Sequence, residues 1–234
     1  MSVVVRYLPR QLADQLLTRG AAMLVVGIVI LLPFLLRVDG GALQGEQLRV
    51  LFVASIGNVT TFLTLIATYG IVGQDIRQGY YRFVLSKPLS PAAYYGAAFG
   101  VTLAGYLITL LVLTGVFAVV RGPVWPGLTA FANWTIGFVL IGSLVFAFSR
   151  FTRLDWIFAL LVFLLGDVAR RRWPAGESVW GAVLNVLLPP AGQSAFSAAG
   201  HPRWGHILWL LGYAAVMVAL GLLAVRYVPP GERR

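Results

Sequence analysis

Along the 234 residues, long apolar runs alternate with short polar breaks. A run of roughly 18 or more apolar residues crosses a hydrocarbon core of about 30 Å as a helix. By this pattern spans are predicted at residues 20–36, 48–72, 94–120, 128–148, 154–166 or a little further, and 207–227. The turn "RGPVWPG" at 121–127 is rich in proline and glycine and ends any helix that reaches it. Residues 178–188 form a shorter apolar run closed by Pro189 and Pro190. That run is too short to cross, so 178–190 is read as a re-entrant or interfacial segment. Counting it as a crossing gives the alternative of seven spans.

Ahead of the first run, Leu8, Leu12 and Leu16 recur every four residues, with Arg6, Arg10 and Arg19 off the stripe. Residues 4–19 therefore suit an amphipathic helix lying in the membrane interface; a short solvated leader is the alternative. About twenty residues precede the first apolar run and no A-x-A pattern follows it, so it is read as a retained span and not a cleaved signal.

Composition strengthens this picture. Of all residues 59% are hydrophobic and 11% charged, against about 25% charged in a typical soluble domain. The fold class expected is all-α, a polytopic membrane protein. The net charge of +10 then reflects arginines that flank spans and face headgroups, not nucleic-acid binding. With no cysteine, disulfides and thiol chemistry are excluded. Six spans put both termini on one side. If that side is the cytoplasm, inner segments hold eleven of the 18 basic residues, as the positive-inside rule requires. The Arg170–Arg172 triplet is the exception, falling on the outer side.

Between the second and third runs lies "GQDIRQGYYRFVLSKPLSPAAYYG". Residues 75–87 would make about 20 Å of helix. Asp75 suits the N-terminal end of its dipole and Lys87 the C-terminal end, and Pro88 ends it. Ile76, Tyr80, Phe83 and Val84 gather on one face, a short amphipathic helix on the cytoplasmic side. An ordinary amphipathic connector is the plain alternative.

These residues resemble the permease subunits of ABC-2-type ABC transporters. In that family span two leads to an acidic residue, a glycine four later and a proline nine beyond it, here Asp75, Gly79 and Pro88. Arg77, Tyr81, Phe83, Leu85, Ser86, Ser90 and Tyr94 match the pattern further. Pro91 and Ala98 stand where the family commonly has an arginine and a lysine. The resemblance extends to chain length, six spans, the N-terminal helix and the apolar dip, and implies one transmembrane domain over 1–234. It implies that 75–87 is a coupling helix seated in a separate P-loop ATPase, with Asp75 and Arg77 in polar docking and Phe83 and Leu85 in apolar contact. Gly79 would allow close approach and Pro88 would set the exit angle into the third span. It further implies a second permease copy, an inner (plasma) membrane and export.

The chain has a single lysine, Lys87, and no G-x-x-x-x-G-K-[ST], so no phosphate-cradling loop is expected on it. No enzyme activity or cofactor of its own is expected; ATP and Mg belong to the partner. Asn58, Thr61, Thr64 and Thr68 fall near one face of the second span. They are read either as packing and interhelical hydrogen bonds or as the lining of a path at the subunit interface. Gly96 and Gly100 predict close helix packing. Asp155 and Asp167 bracket span five and are expected to snorkel or to pair with Arg153 and Arg170. His201 and His206 lack neighbouring ligands for a metal, and Ser194 and Ser197 lack the elbow of a serine hydrolase. Trp125, Trp173, Trp180, Trp204 and Tyr227 are read as interfacial anchors. The competing function is a secondary transporter, or another polytopic membrane protein, with no ATPase. A secondary transporter would usually show internal repeats and intramembrane charges, and neither is evident.

Overall fold

In the computed structural model the residues described are 13–14, 16–36, 46–69, 91–123, 125–149, 151, 154–173, 178–188 and 201–227. They are helical, with no strand among them. A π-helical turn, Leu16–Gly20, runs into α1 (Ala21–Leu36). Then follow α2 (Glu46–Thr68), α3 (Pro91–Arg121), α4 (Leu128–Phe148), α5 (Asp155–Arg172), α6 (Val179–Leu187) and α7 (Trp204–Tyr227).

Four helical stretches are long and apolar enough to cross a membrane: Leu16–Pro33, Ala92–Arg121, Leu128–Phe148 and Trp204–Ala224. Counting α2, which bends by 40° between Gly57 and Val59, gives five. The bend has a local cause: Gly57 carries no side chain, and the Thr60 hydroxyl donates to its carbonyl at 2.8 Å, an arrangement that opens helices. The chain is thus a helical, multi-pass membrane protein. Of the stretch 154–166, Leu154 is the N-cap and the rest lies in α5, which continues to Arg172 and carries Asp167 and three arginines.

The chain divides into two compact units, one of residues Met1–Ala67 with Ala93–Phe138, the other of Thr68–Ala92 with Val139–Arg234. Aromatic rings fill the first. Phe52, Tyr106, Phe117 and Phe138 are fully buried. Phe52 meets Phe117 at 4.7 Å between centroids, Tyr106 meets Phe138 at 4.8 Å, and Phe131 stands edge-on to Trp134 at 5.2 Å. Such pairs add about 0.5–1.5 kcal/mol each beyond the area they bury. In a membrane, where lipid is as apolar as leucine, this interlocking does the work that water exclusion does elsewhere. α1 approaches α3 through Gly27, where an added Cβ would lie 2.7 Å from Leu113 Cδ1.

In the second unit α7 comes close to α4 at a glycine. A Cβ at Gly221 would fall against the Phe146 ring and 3.3 Å from the Ala147 Cα. Gly96 and Gly100 behave otherwise than expected: no described atom lies within 4 Å of a Cβ built on either. The close approaches run instead through Gly27 and Gly221, isolated glycines without a G-x-x-x-G spacing.

Candidate functional site

The residues that carry the strongest chemical pattern, Asp75, Arg77, Gly79, Phe83, Leu85 and Pro88, lie outside the described residues, as do 4–12 of the N-terminal segment. The helices on either side of the 70–90 stretch are described, and both ends are built for the position. α3 begins at Pro91. Proline suits the first position of a helix, because its missing N–H is one of the four that a helix start leaves unpaired. From there α3 runs 31 residues without interruption, about 46 Å at 1.5 Å per residue. That exceeds the thickness of a hydrocarbon core, so α3 has length to spare for tilt or for reaching past the core. Near that start Tyr94 stands edge-on to the buried Tyr95 at 5.1 Å.

The last turn of α2 is held from a distance in sequence. Arg19 Nη1 donates to the Ala67 carbonyl at 2.9 Å, 48 residues away. The last four carbonyls of a helix have no partner within it and carry the negative end of its dipole; the arginine meets both needs. The foot of α1 is thereby tied to the point where the chain leaves α2.

On α2 itself, Thr64 and Thr68 are buried to 1% exposure and Thr61 is half-buried; the Asn58 side chain lies outside the description. The Thr64 hydroxyl donates to the Thr60 carbonyl at 2.8 Å and is hydrogen-bonded to Tyr106, whose hydroxyl lies 3.4 Å from the Trp134 carbonyl. Ser55, Thr102, Thr109 and Thr114 each donate to the carbonyl four residues back, at 2.7–2.9 Å. Each donates its one proton to its own helix, leaving acceptor lone pairs to face neighbours.

A third cluster escaped the sequence reading. The last carbonyls of α6 have no partner within the helix, and Pro189 and Pro190, which lack an N–H, do not continue it. Side chains from two other helices supply the donors. Arg170 Nη2 of α5 donates to the Leu188 carbonyl at 2.9 Å, and the Tyr213 hydroxyl of α7 donates to the Leu187 carbonyl at 3.2 Å. At the other end Ser178 accepts from the Gly181 N–H at 2.9 Å as N-cap. Arg170 thus turns to α6, and the ion pair of Asp167 is with Arg171, at 2.8 Å. Asp167 still attracts Arg170 electrostatically, as expected, while its contact ion pair is with the i,i+4 neighbour Arg171. Asp155 is buried at the start of α5, its carboxylate accepting from the Trp156 N–H at 2.9 Å; Arg153 lies outside the described residues.

Trp125, Trp173, Trp180 and Trp204 are all exposed, at or near helix ends. Among the described residues no three His, Asp or Glu gather as a metal site, and the buried Nδ1 of His206 has no partner among them. No family model matches this chain, and neither a curated protein nor a solved structure does.

Proposed function

We propose that this chain is the permease subunit of an ABC-2-type transporter, providing half of a translocation path driven by separate P-loop ATPases. The observation that carries the reading is the spacing of Asp75, Gly79, Pro88 and Tyr94 between two apolar helices. Mechanical continuity supports it. Residue 91, three beyond Pro88, opens a single 31-residue helix, so a push on 75–87 would be delivered to α3 as a rigid rod. On the other side Arg19 ties the last turn of α2 to the foot of α1, so the same push would reach α1.

In this reading the spans number six, α5 supplying the fifth, with both termini in the cytoplasm of a plasma (inner) membrane. Residues 4–19 lie in the interface, and two copies pair about a two-fold axis. ATP and Mg bind the partner ATPase. Export is the direction the resemblance favours, and any cargo path would run beside Asn58, Thr61, Thr64 and Thr68. The reading is tested by replacing Asp75 or Gly79 with leucine in the intact transporter. Both variants should insert and fold yet lose ATP-driven transport; normal transport in both would remove the coupling assignment.

A further inference from the structure

α6 is amphipathic in the opposite sense to a helix on a water-soluble protein. Its buried position is Gly181, and it packs against α5. Its apolar side chains point away: Val179 is 80% exposed, Trp180 74%, Val186 58%, Leu187 65% and Val183 39%. On a helical wheel these five fall within one broad stripe, because positions three, four and seven apart share a face. Such a stripe in water is an association site; at a membrane it is seated in the boundary between headgroups and acyl chains. The helix has nine residues, about 13 Å, so it lies on or dips into the boundary and does not cross.

Beside it the end of α5 carries a surplus of positive charge. On the last turns of α5, Arg170, Arg171 and Arg172 outnumber Asp167, and Glu177 follows in the sequence before α6. Arg170 is committed to the Leu188 carbonyl. Arg171 keeps 79% of its side chain exposed while pairing with Asp167, and Arg172 is exposed. The guanidinium fork of arginine matches the phosphate diester, and pairs with it bidentately.

We propose that α6 and the end of α5 form a docking site for an anionic phospholipid. Its acyl chains lie along Val179, Val183 and Val186, and its phosphate is held by Arg171 and Arg172. Charge selects the occupant: a zwitterionic lipid offers the same chains but no net charge to answer the surplus arginines. The inference rests on the membrane character of the chain and not on an ATPase partner. It also gives the outward Arg170–Arg172 triplet a role other than setting topology.

The test uses the full chain, which has no cysteine of its own. Val183→Cys carries a nitroxide in vesicles of phosphatidylcholine with or without phosphatidylglycerol. The label should be quenched by oxygen in preference to a water-soluble nickel chelate. Spin-labelled phosphatidylglycerol should associate more tightly than phosphatidylcholine, on the order of fivefold per arginine at low salt. Arg171→Gln with Arg172→Gln should abolish that preference, and the corresponding pair of lysine substitutions should keep most of it. Three results would overturn the proposal. They are a nickel-accessible label, a lipid preference that survives the glutamine pair, and dipolar broadening between labels at high dilution in lipid, which would show a second copy covering the face.

Discussion

Arg170, Arg171 and Arg172 are chemically identical neighbours, yet their surroundings assign them very different energetic weights. Arg170 donates a charged hydrogen bond to the Leu188 carbonyl, a kind that contributes about 1.5–3 kcal/mol. Leu188 is the C-cap of α6, and no donor within the helix reaches its carbonyl. Its loss should therefore be felt in full, as local opening of α6. Arg171 makes an i,i+4 ion pair with its side chain 79% exposed, a geometry that contributes about 0.3–0.5 kcal/mol. Exposed Arg172 should fall within the roughly ±0.5 kcal/mol typical of surface substitutions. Hydrogen exchange of the α6 amides in zwitterionic micelles reads these differences directly, since local opening sets the rate. Arg170→Gln should speed exchange roughly 10- to 150-fold. Tyr213→Phe, which loses a neutral hydrogen bond, should speed it roughly 2- to 10-fold. Arg171→Gln and Arg172→Gln should change it no more than about twofold. Equal effects along the triplet, or an Arg170→Gln variant that exchanges like the parent, would refute the clamp.

The two close-packed glycines should respond unequally to alanine. Gly221→Ala drives a methyl against the Phe146 ring and the Ala147 backbone and should cost about 1–3 kcal/mol. Gly27→Ala meets only the free end of Leu113 and should cost less, so equal losses of thermal stability in detergent would contradict the packing. Thr64 and Tyr106 share a hydrogen bond, so Thr64→Val and Tyr106→Phe should each cost about 0.5–1.5 kcal/mol. The double variant should then lose less than the sum in mixed-micelle unfolding; strict additivity would dissolve the pair.

Helix positions were legible wherever hydropathy and helix chemistry agree. Residues 178–188 form one short apolar run, and α6 with its Ser178 cap and Leu188 end occupies that stretch. Boundaries were least sharp where polar residues continue a helix. α5 runs on past Gly166 to Arg172, because basic residues in a last turn favour the dipole although they end the apolar run. α3 starts at Pro91 and not at Tyr94, for proline serves as a first residue as well as a breaker. Tertiary choices were beyond reach of spacing rules. Nothing in "ALGLLAV" marks Gly221 as the glycine that meets Phe146, whereas the spaced pair Gly96 and Gly100 has no described neighbour. One clue was present and went unused. Two prolines after a short apolar run mark a helix end, and every helix end leaves carbonyls that call for donors such as an arginine.

ATP hydrolysis on another polypeptide is proposed to drive this chain through residues 75–87. Gentle affinity purification of the tagged chain from its own host, with every co-eluting protein identified and counted, tests it most directly. A P-loop ATPase should co-elute at roughly one copy per permease chain, as a two-fold pair of each subunit requires. Its share should fall when Gly79 is replaced by leucine. Elution without any ATPase across several mild detergents would contradict the account, leaving 75–87 a plain connector and the chain a transporter driven by other means.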